Sequence, residues 1–377
     1  MMKYIKYIKY IVMLLVFQQV MINQSTGQTR DEWGIFRGNP ESTGTSKARM
    51  KAPLELKWVY QTSDAIIAAP VIGDNGIYVS SIDGVIYAID LLGKLKWQYQ
   101  TNNSIEAPAL YLNGKVFVGN LSGVLYALDS QTGKLLWKYH TDNQISGSAN
   151  TFSIGKKSYL VVGSYDYYLH CIDEETGKGV WKYETMNYIN GAAAISENTA
   201  FFGGCDGFLH MVDLEKGTLR NKIQVASYIA GSTAIAGDLA FTGDYDGLFT
   251  CIDTKNEEIK WQYDNPKSGL PILGSPSISG DRVVIGGEDK FMRCFDMDSG
   301  SLLWSFNAGG RIDASPVIVR NIVITATMDG MIYMLDLENG EELWSYEIGS
   351  RIAHNPAVIN GTIVVGAGDG NVYCFKM

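Results

Sequence analysis

An Asp-Gly turn, or a close relative of it, returns eight times along this chain. It stands at Asp83, Ser122, Asp166, Asp206, Asp246, Asp289, Asp329 and Asp369, at intervals of roughly forty residues. A sequence with that period folds as stacked copies of one small unit, because no unit can bury its apolar face alone. The second copy shows the grammar. Four short runs, 107–112, 115–120, 124–129 and 134–139, are separated by Asn113-Gly114, Ser122-Gly123 and Ser130-Gln-Thr-Gly133. Asn-Gly and Asp-Gly suit tight hairpins, whose central residues need a positive φ. No run has the length or period of an amphipathic helix. Four antiparallel strands per unit and eight units predict an all-β, eight-bladed β-propeller.

A tryptophan closes most copies. Trp97, Trp137, Trp181, Trp261, Trp304 and Trp344 each follow the aspartate that ends the third run by seven or eight residues, and Asn221 takes the place in the fourth copy. These indoles are expected to pack between blades, each removing apolar surface worth ~2–3 kcal/mol from water. The eighth copy stops at Met377 after its third run, while an orphan fourth run, Leu54-Glu-Leu-Lys-Trp58-Val-Tyr60, lies at the other end. That strand is expected to complete the last blade, close the ring and cover two open sheet edges.

The first residues read differently. Lys3, Lys6 and Lys9 precede a short apolar stretch, Ile11 to Phe17, then polar and small residues. This has the form of a secretory signal peptide, or of an uncleaved anchor if processing fails. The expected organisation is a signal at 1–28, a lead-in at 29–52 and the propeller at 53–377, in a periplasmic or secreted protein. No cysteine near the cleavage region suggests acylation. The net charge is -9, and removal of the three lysines makes the mature chain more acidic. Such a surface repels phosphate backbones, so nucleic acid is not an expected partner.

The run Ala127-Leu-Asp129-Ser-Gln-Thr-Gly133-Lys-Leu-Leu-Trp137 resembles the PQQ-like repeat of quinoprotein dehydrogenases and of the outer-membrane-assembly scaffold BamB. The lead-in Trp33-Gly-Ile-Phe-Arg-Gly-Asn-Pro40 resembles the segment preceding the first blade in such proteins. The resemblance implies a fold; the same repeat serves enzymes and scaffolds alike. It also implies that the loops entering the inner strands share a face with the Asp-Gly hairpins, around a central funnel.

Candidate binding residues are those that break the repeat on that face. The position before each inner strand carries Glu106, Asn190 and Asp313, and the position two residues earlier carries Tyr188, Tyr228, Arg311 and Arg351. Arg311 and Arg351 suit an anion, or pair with Glu106 or Asp313. Tyr165, Tyr188, Tyr228 and Tyr245 fall on consecutive blades and suit a peptide or sugar surface. Other tempting residues have plain readings. Cys171, Cys251, Cys294 and Cys374 share one register inside the third strands and read as core thiols. His170 and His210 share a slot with tyrosines. His354 is placed at the start of the last inner strand. Asp244-Tyr-Asp246-Gly lacks the rest of a calcium loop.

No catalytic constellation and no metal site emerges from the spacing. The expectation is a non-catalytic, monomeric envelope scaffold that binds a protein or peptide, with the outer-membrane assembly machinery as the partner the resemblance implies and no cofactor. The first alternative is a PQQ-dependent alcohol or sugar dehydrogenase using PQQ with calcium. The second is a glycan-binding protein or enzyme acting at the funnel.

Overall fold

The computed structural model describes residues 32–74, 76–225, 228–265 and 269–377; the expected signal at 1–28 lies outside them. Residues Glu32–Met377 form one compact unit. It is an eight-bladed β-propeller of antiparallel blades with no helix among the described residues. Blade 1 comprises Val71–Gly73, Gly76–Ser80, Val85–Asp90 and Leu95–Gln100. The next six blades open on the inner strands Leu110–Leu112, Asn150–Ile154, Ala194–Ser196, Ala234–Ala236, Ser277–Ser279 and Val317–Val319. Second and third strands are buried almost throughout, because each blade is packed on both faces by its neighbours.

The last blade has three strands from the C-terminus, Ala357–Ile359, Thr362–Gly366 and Asn371–Lys376. Its fourth is Glu55–Gln61, antiparallel to Asn371–Lys376 with Val59 opposite Tyr373. The orphan strand thus closes the ring as its sequence required.

The indoles act as inter-blade anchors. Five of them donate Nε1–H to a turn carbonyl of the following blade: Trp97 to Ser130 at 2.9 Å, Trp137 to Glu174 at 3.2 Å, Trp181 to Leu214 at 2.9 Å, Trp261 to Met297 at 3.1 Å and Trp304 to Leu337 at 2.8 Å. Trp58 does the same across the closure, to Leu91 at 3.2 Å. The outer pair in every blade carries a register shift beside this position, which aims the indole out of the blade. Cys171, Cys251, Cys294 and Cys374 sit opposite Trp181, Trp261, Trp304 and Trp58. Burial lifts their thiols to about 12, and to about 11 for Cys374, so they are inert core residues.

The lead-in does more than precede the first blade. Trp33 exchanges both backbone bonds with Ile72 of blade 1, and Gly34 accepts from Tyr111 of blade 2. Pro40 accepts from the Asn150 side chain and from Ile195 N–H. Glu41, Thr43 and Gly44 accept from Ile235, Ile278 and Ile318, and Arg49 from Gly361. Thr45–Ser46 adds a fifth, parallel strand to blade 7. The segment therefore runs inside the ring and bonds to every blade, answering inner-strand N–H groups that would otherwise face the channel unpaired. Arg37 is wholly buried and bonds to the carbonyls of Pro276 (2.7 Å) and Pro316 (2.6 Å) and to Ser277 Oγ. Burial pulls its guanidinium down to about 9, so it stays charged at neutral pH.

Candidate functional site

The funnel face is built from one loop repeated eight times. Each loop entering an inner strand carries an isoleucine, among them Ile66, Ile105, Ile145, Ile189 and Ile312. Its N–H donates to the second-to-third-strand hairpin of the preceding blade, as Ile105 does to Ser81, and Ile66 to Ala367 across the closure. The residue before it accepts from the hairpin of its own blade, as Ser104 accepts from Leu121, Tyr188 from Cys205 and Arg311 from Met328. Entry loops and Asp-Gly hairpins therefore share one face. The isoleucine side chain fills the space over a glycine ending the second strand next door; a Cβ on Gly119 would lie 2.2 Å from Ile145.

The hairpin aspartates are more than turn formers. In Asp83, Asp166, Asp206, Asp289 and Asp369 one oxygen accepts a backbone N–H two residues on, and the carboxylate also meets the side chain four residues on. Asp83 binds Tyr87, Asp166 binds His170, Asp206 binds His210 and Asp369 binds Tyr373. Asp289 forms a bidentate pair with Arg293. His170 and His210 also bond Tyr139 and Tyr183 of the preceding blades at 3.0 Å. Burial pushes the Asp166 carboxyl up, but the hydrogen bond and charge of His170 outweigh it and hold the group at about 2.

At the centre lies a cavity of about 90 Å3, lined in part by Phe36 of the lead-in. Its wall includes Ser146, Asn190, Leu273, Asp313 and His354. Below the rim, Gly147, Gly191 and Gly231 bring successive blades so close that a Cβ would lie 2.7–2.9 Å from the next backbone. Asn190 Oδ1 and Asp313 Oδ1 are buried there with no hydrogen-bond partner. Asn190 Nδ2 bonds Cys205 Sγ at 3.1 Å, and burial raises that thiol. Burial also raises the Asp313 carboxyl, opposed by Arg311. His354 was expected to open the last inner strand. That strand begins at Ala357, and His354 lies in the entry loop, where it keeps some surface in the cavity. Desolvation by the surrounding walls pushes its imidazole down to about 4, so it is neutral.

Arg311 and Arg351 do not form a joint anion site. Arg311 pairs with Asp313 at 2.7 Å and Glu288 at 3.2 Å. Arg351 makes no ion pair among the described residues and lies along Gly368. Glu106 is half-buried beside Tyr165, whose hydroxyl is raised chiefly by burial and in part by that charge.

The tyrosines fall into two groups. Tyr165 stacks on Tyr188 with centroids 4.7 Å apart, and Tyr228 meets Tyr245 edge-on at 6.4 Å. Tyr165 is half-buried while the other three are exposed. Sequence reasoning missed Tyr167, which packs on Tyr188 at 5.3 Å and is 40% exposed. Its backbone has φ 75, at a turn position where six of the eight hairpins have glycine. A side chain there costs about 1–2 kcal/mol. The signal was available as a tyrosine in a glycine register. Met186 and Leu270, 76% and 46% exposed, stand on entry loops of the same face.

PQQ with calcium does not fit these residues. The cavity is well below the roughly 300–1,000 Å3 of small-molecule sites, and Phe36 and close-packed glycines are part of its lining. Among the described residues no three His, Cys, Asp or Glu side chains are grouped to hold a metal ion.

Among curated proteins, none matches the chain. The fold recurs in solved structures. BamB from Moraxella catarrhalis is 20% identical with a TM-score of 0.73, covering 86% of this chain and 98% of that one. Quinohemoprotein alcohol dehydrogenase from Comamonas testosteroni is 17% identical with a TM-score of 0.77, covering 94% and 81%. The computationally designed Ika8 protein is 20% identical with a TM-score of 0.75, covering 86% and 100%. At these identities the likeness is one of fold. The sequence itself matches the family model described as outer membrane protein assembly factor BamB over residues 51–164, 165–291 and 288–377. Blades, closing strand and indole anchors all lie within that span, and the chain belongs to the BamB family of PQQ-like repeat propellers.

Proposed function

We propose that this protein is a non-catalytic scaffold of the cell envelope that holds a protein partner on its funnel face. The observation that carries this reading is the exposed aromatic and apolar patch of Tyr167, Met186, Tyr188, Tyr228, Tyr245 and Leu270. These side chains stand on the entry loops and hairpins of blades 3 to 6, and tyrosines present large contact area with few rotatable bonds. One of them, Tyr167, stands at a turn position with φ 75 that six of the eight hairpins give to glycine. The family supports an envelope setting, as does the signal-like start of the chain. The small cavity at the axis does not support catalysis on a large substrate.

The test is site-specific photo-crosslinking in the native host. A crosslinker at Tyr188 or Tyr228 is expected to trap a discrete protein adduct, while one at Glu215 on the opposite face traps none. Absence of any funnel-face adduct overturns the scaffold reading. A parallel titration of the purified protein with PQQ and calcium is expected to give no saturable binding; binding with dye-linked oxidation of an alcohol or sugar establishes the enzyme reading instead.

A further inference from the structure

The face that carries the aromatic patch is strongly acidic. Asp64, Asp142, Asp246, Asp329 and Asp369 are exposed on its entry loops and hairpins, with Glu106 half-buried nearer the axis. The described cations of these loops are Lys290, Arg311 and Arg351, and Arg311 is already neutralised by Asp313 and Glu288. The opposite face carries lysines and carboxylates together, as in Lys115–Glu174 and Lys260–Asp298. Charge is thus polarised between the two faces. Two acceptors of residues on the cavity wall, Asn190 Oδ1 and Asp313 Oδ1, are buried without a hydrogen-bond partner. A buried acceptor left unpaired is unfavourable, and a donor arriving from solvent relieves it.

From these observations we infer that the partner segment is a basic peptide. Its aromatic or apolar residues lie on the tyrosines of blades 3 to 5, and one lysine or arginine side chain enters the central cavity against Asp313 and Asn190. This rests on the scaffold reading and adds the chemistry of what is held. The cavity of about 90 Å3 suits the end of one side chain better than a cofactor. The acidic rim would speed encounter and discriminate against acidic segments. Tyr167 stands on this surface in place of the glycine that the turn prefers.

The inference is tested with the full mature protein and two labelled peptides, Gly-Lys-Leu-Lys-Tyr-Lys-Gly and its counterpart with Glu for Lys, followed by fluorescence anisotropy. The lysine peptide is expected to bind saturably and more weakly as salt rises, and the glutamate peptide not at all. The double variant Glu106→Gln with Asp313→Asn is expected to weaken binding at least tenfold, and Tyr188→Ala comparably. Asp238→Asn with Glu257→Gln, on the opposite face, leaves the affinity unchanged. Tyr167→Gly separates folding from binding: it is expected to raise the melting temperature and yet weaken the peptide several-fold. Equal binding of both peptides, or equal loss from variants on either face, overturns the inference. If neither peptide binds while the Tyr188 crosslinker still traps a partner, the basic-segment inference fails and the scaffold reading stands.

Discussion

On neighbouring blades a tryptophan and a glycine behave as one unit. Gly133, at φ 69, sits on the ring of Trp97, and a Cβ there would lie 2.7 Å from it; Gly177, Gly217, Gly300 and Gly340 repeat the contact with Trp137, Trp181, Trp261 and Trp304. The exception supports the rule. Blade 4 has Asn221 for the tryptophan, and the facing turn on blade 5 has Glu257 at φ 62 instead of glycine. Gly133→Ala should therefore destabilise the fold by about 1–3 kcal/mol. In a Trp97→Asn background its added effect should shrink to about 1 kcal/mol of residual backbone strain, read by urea denaturation of all four proteins. The hairpin carboxylates act at the same scale. Because the folded pKa of Asp166 is depressed to about 2, its contribution is full above the unfolded value of about 3.9 and disappears as pH falls toward 2. Asp166→Asn should lower stability at pH 6 and flatten its decline between pH 4 and 2, measured by denaturant titrations across that range. An Asp-Gly pair announces a turn in any sequence. That its carboxylate also holds the residue four positions on was not legible, because the pairing depends on the hairpin's three-dimensional twist.

The element that the sequence described least well is the lead-in. Its resemblance to segments that precede the first blade said nothing of its path around the inside of the ring. Short inner strands present N–H groups to the channel, and only a chain running along them satisfies those groups. Arg37 fixes this segment to blades 6 and 7 through three acceptors and has no carboxylate partner among the described residues. Arg37→Ala leaves buried carbonyls unanswered and should cost about 3 kcal/mol; Arg37→Lys should recover little, since an ammonium lacks the planar fork. Chemical denaturation of the two variants checks both expectations. The closing strand, by contrast, was legible. A terminal repeat lacking one strand and a matching orphan at the other end leave a single economical pairing.

For the whole molecule, closure decides how the repeats share stability. A linear array behaves as neighbours that open one after another, whereas a ring couples first and last units. Removing residues 1–61 takes away both the closing strand and the lead-in. The remaining chain should melt at lower temperature, in transitions that differ between fluorescence and circular dichroism, and should dimerise through the exposed edge of Asn371–Lys376, as read by size-exclusion chromatography.

The sequence by itself determined the number of blades, their strand order and the closure, because these follow from period, turn chemistry and the alternation of buried positions; that entry loops and hairpins share one face was implied by the family resemblance. It singled out Asn190, Asp313 and the tyrosines only as departures from the repeat. The tertiary structure decided that Arg311 is spent on Asp313 and Glu288, that His354 and Phe36 line the cavity, and that Tyr167 packs on Tyr188. Those outcomes depend on residues far apart in the chain being brought within a few ångströms, and a periodic sequence fixes where each residue stands in its own repeat without fixing what meets it from the next.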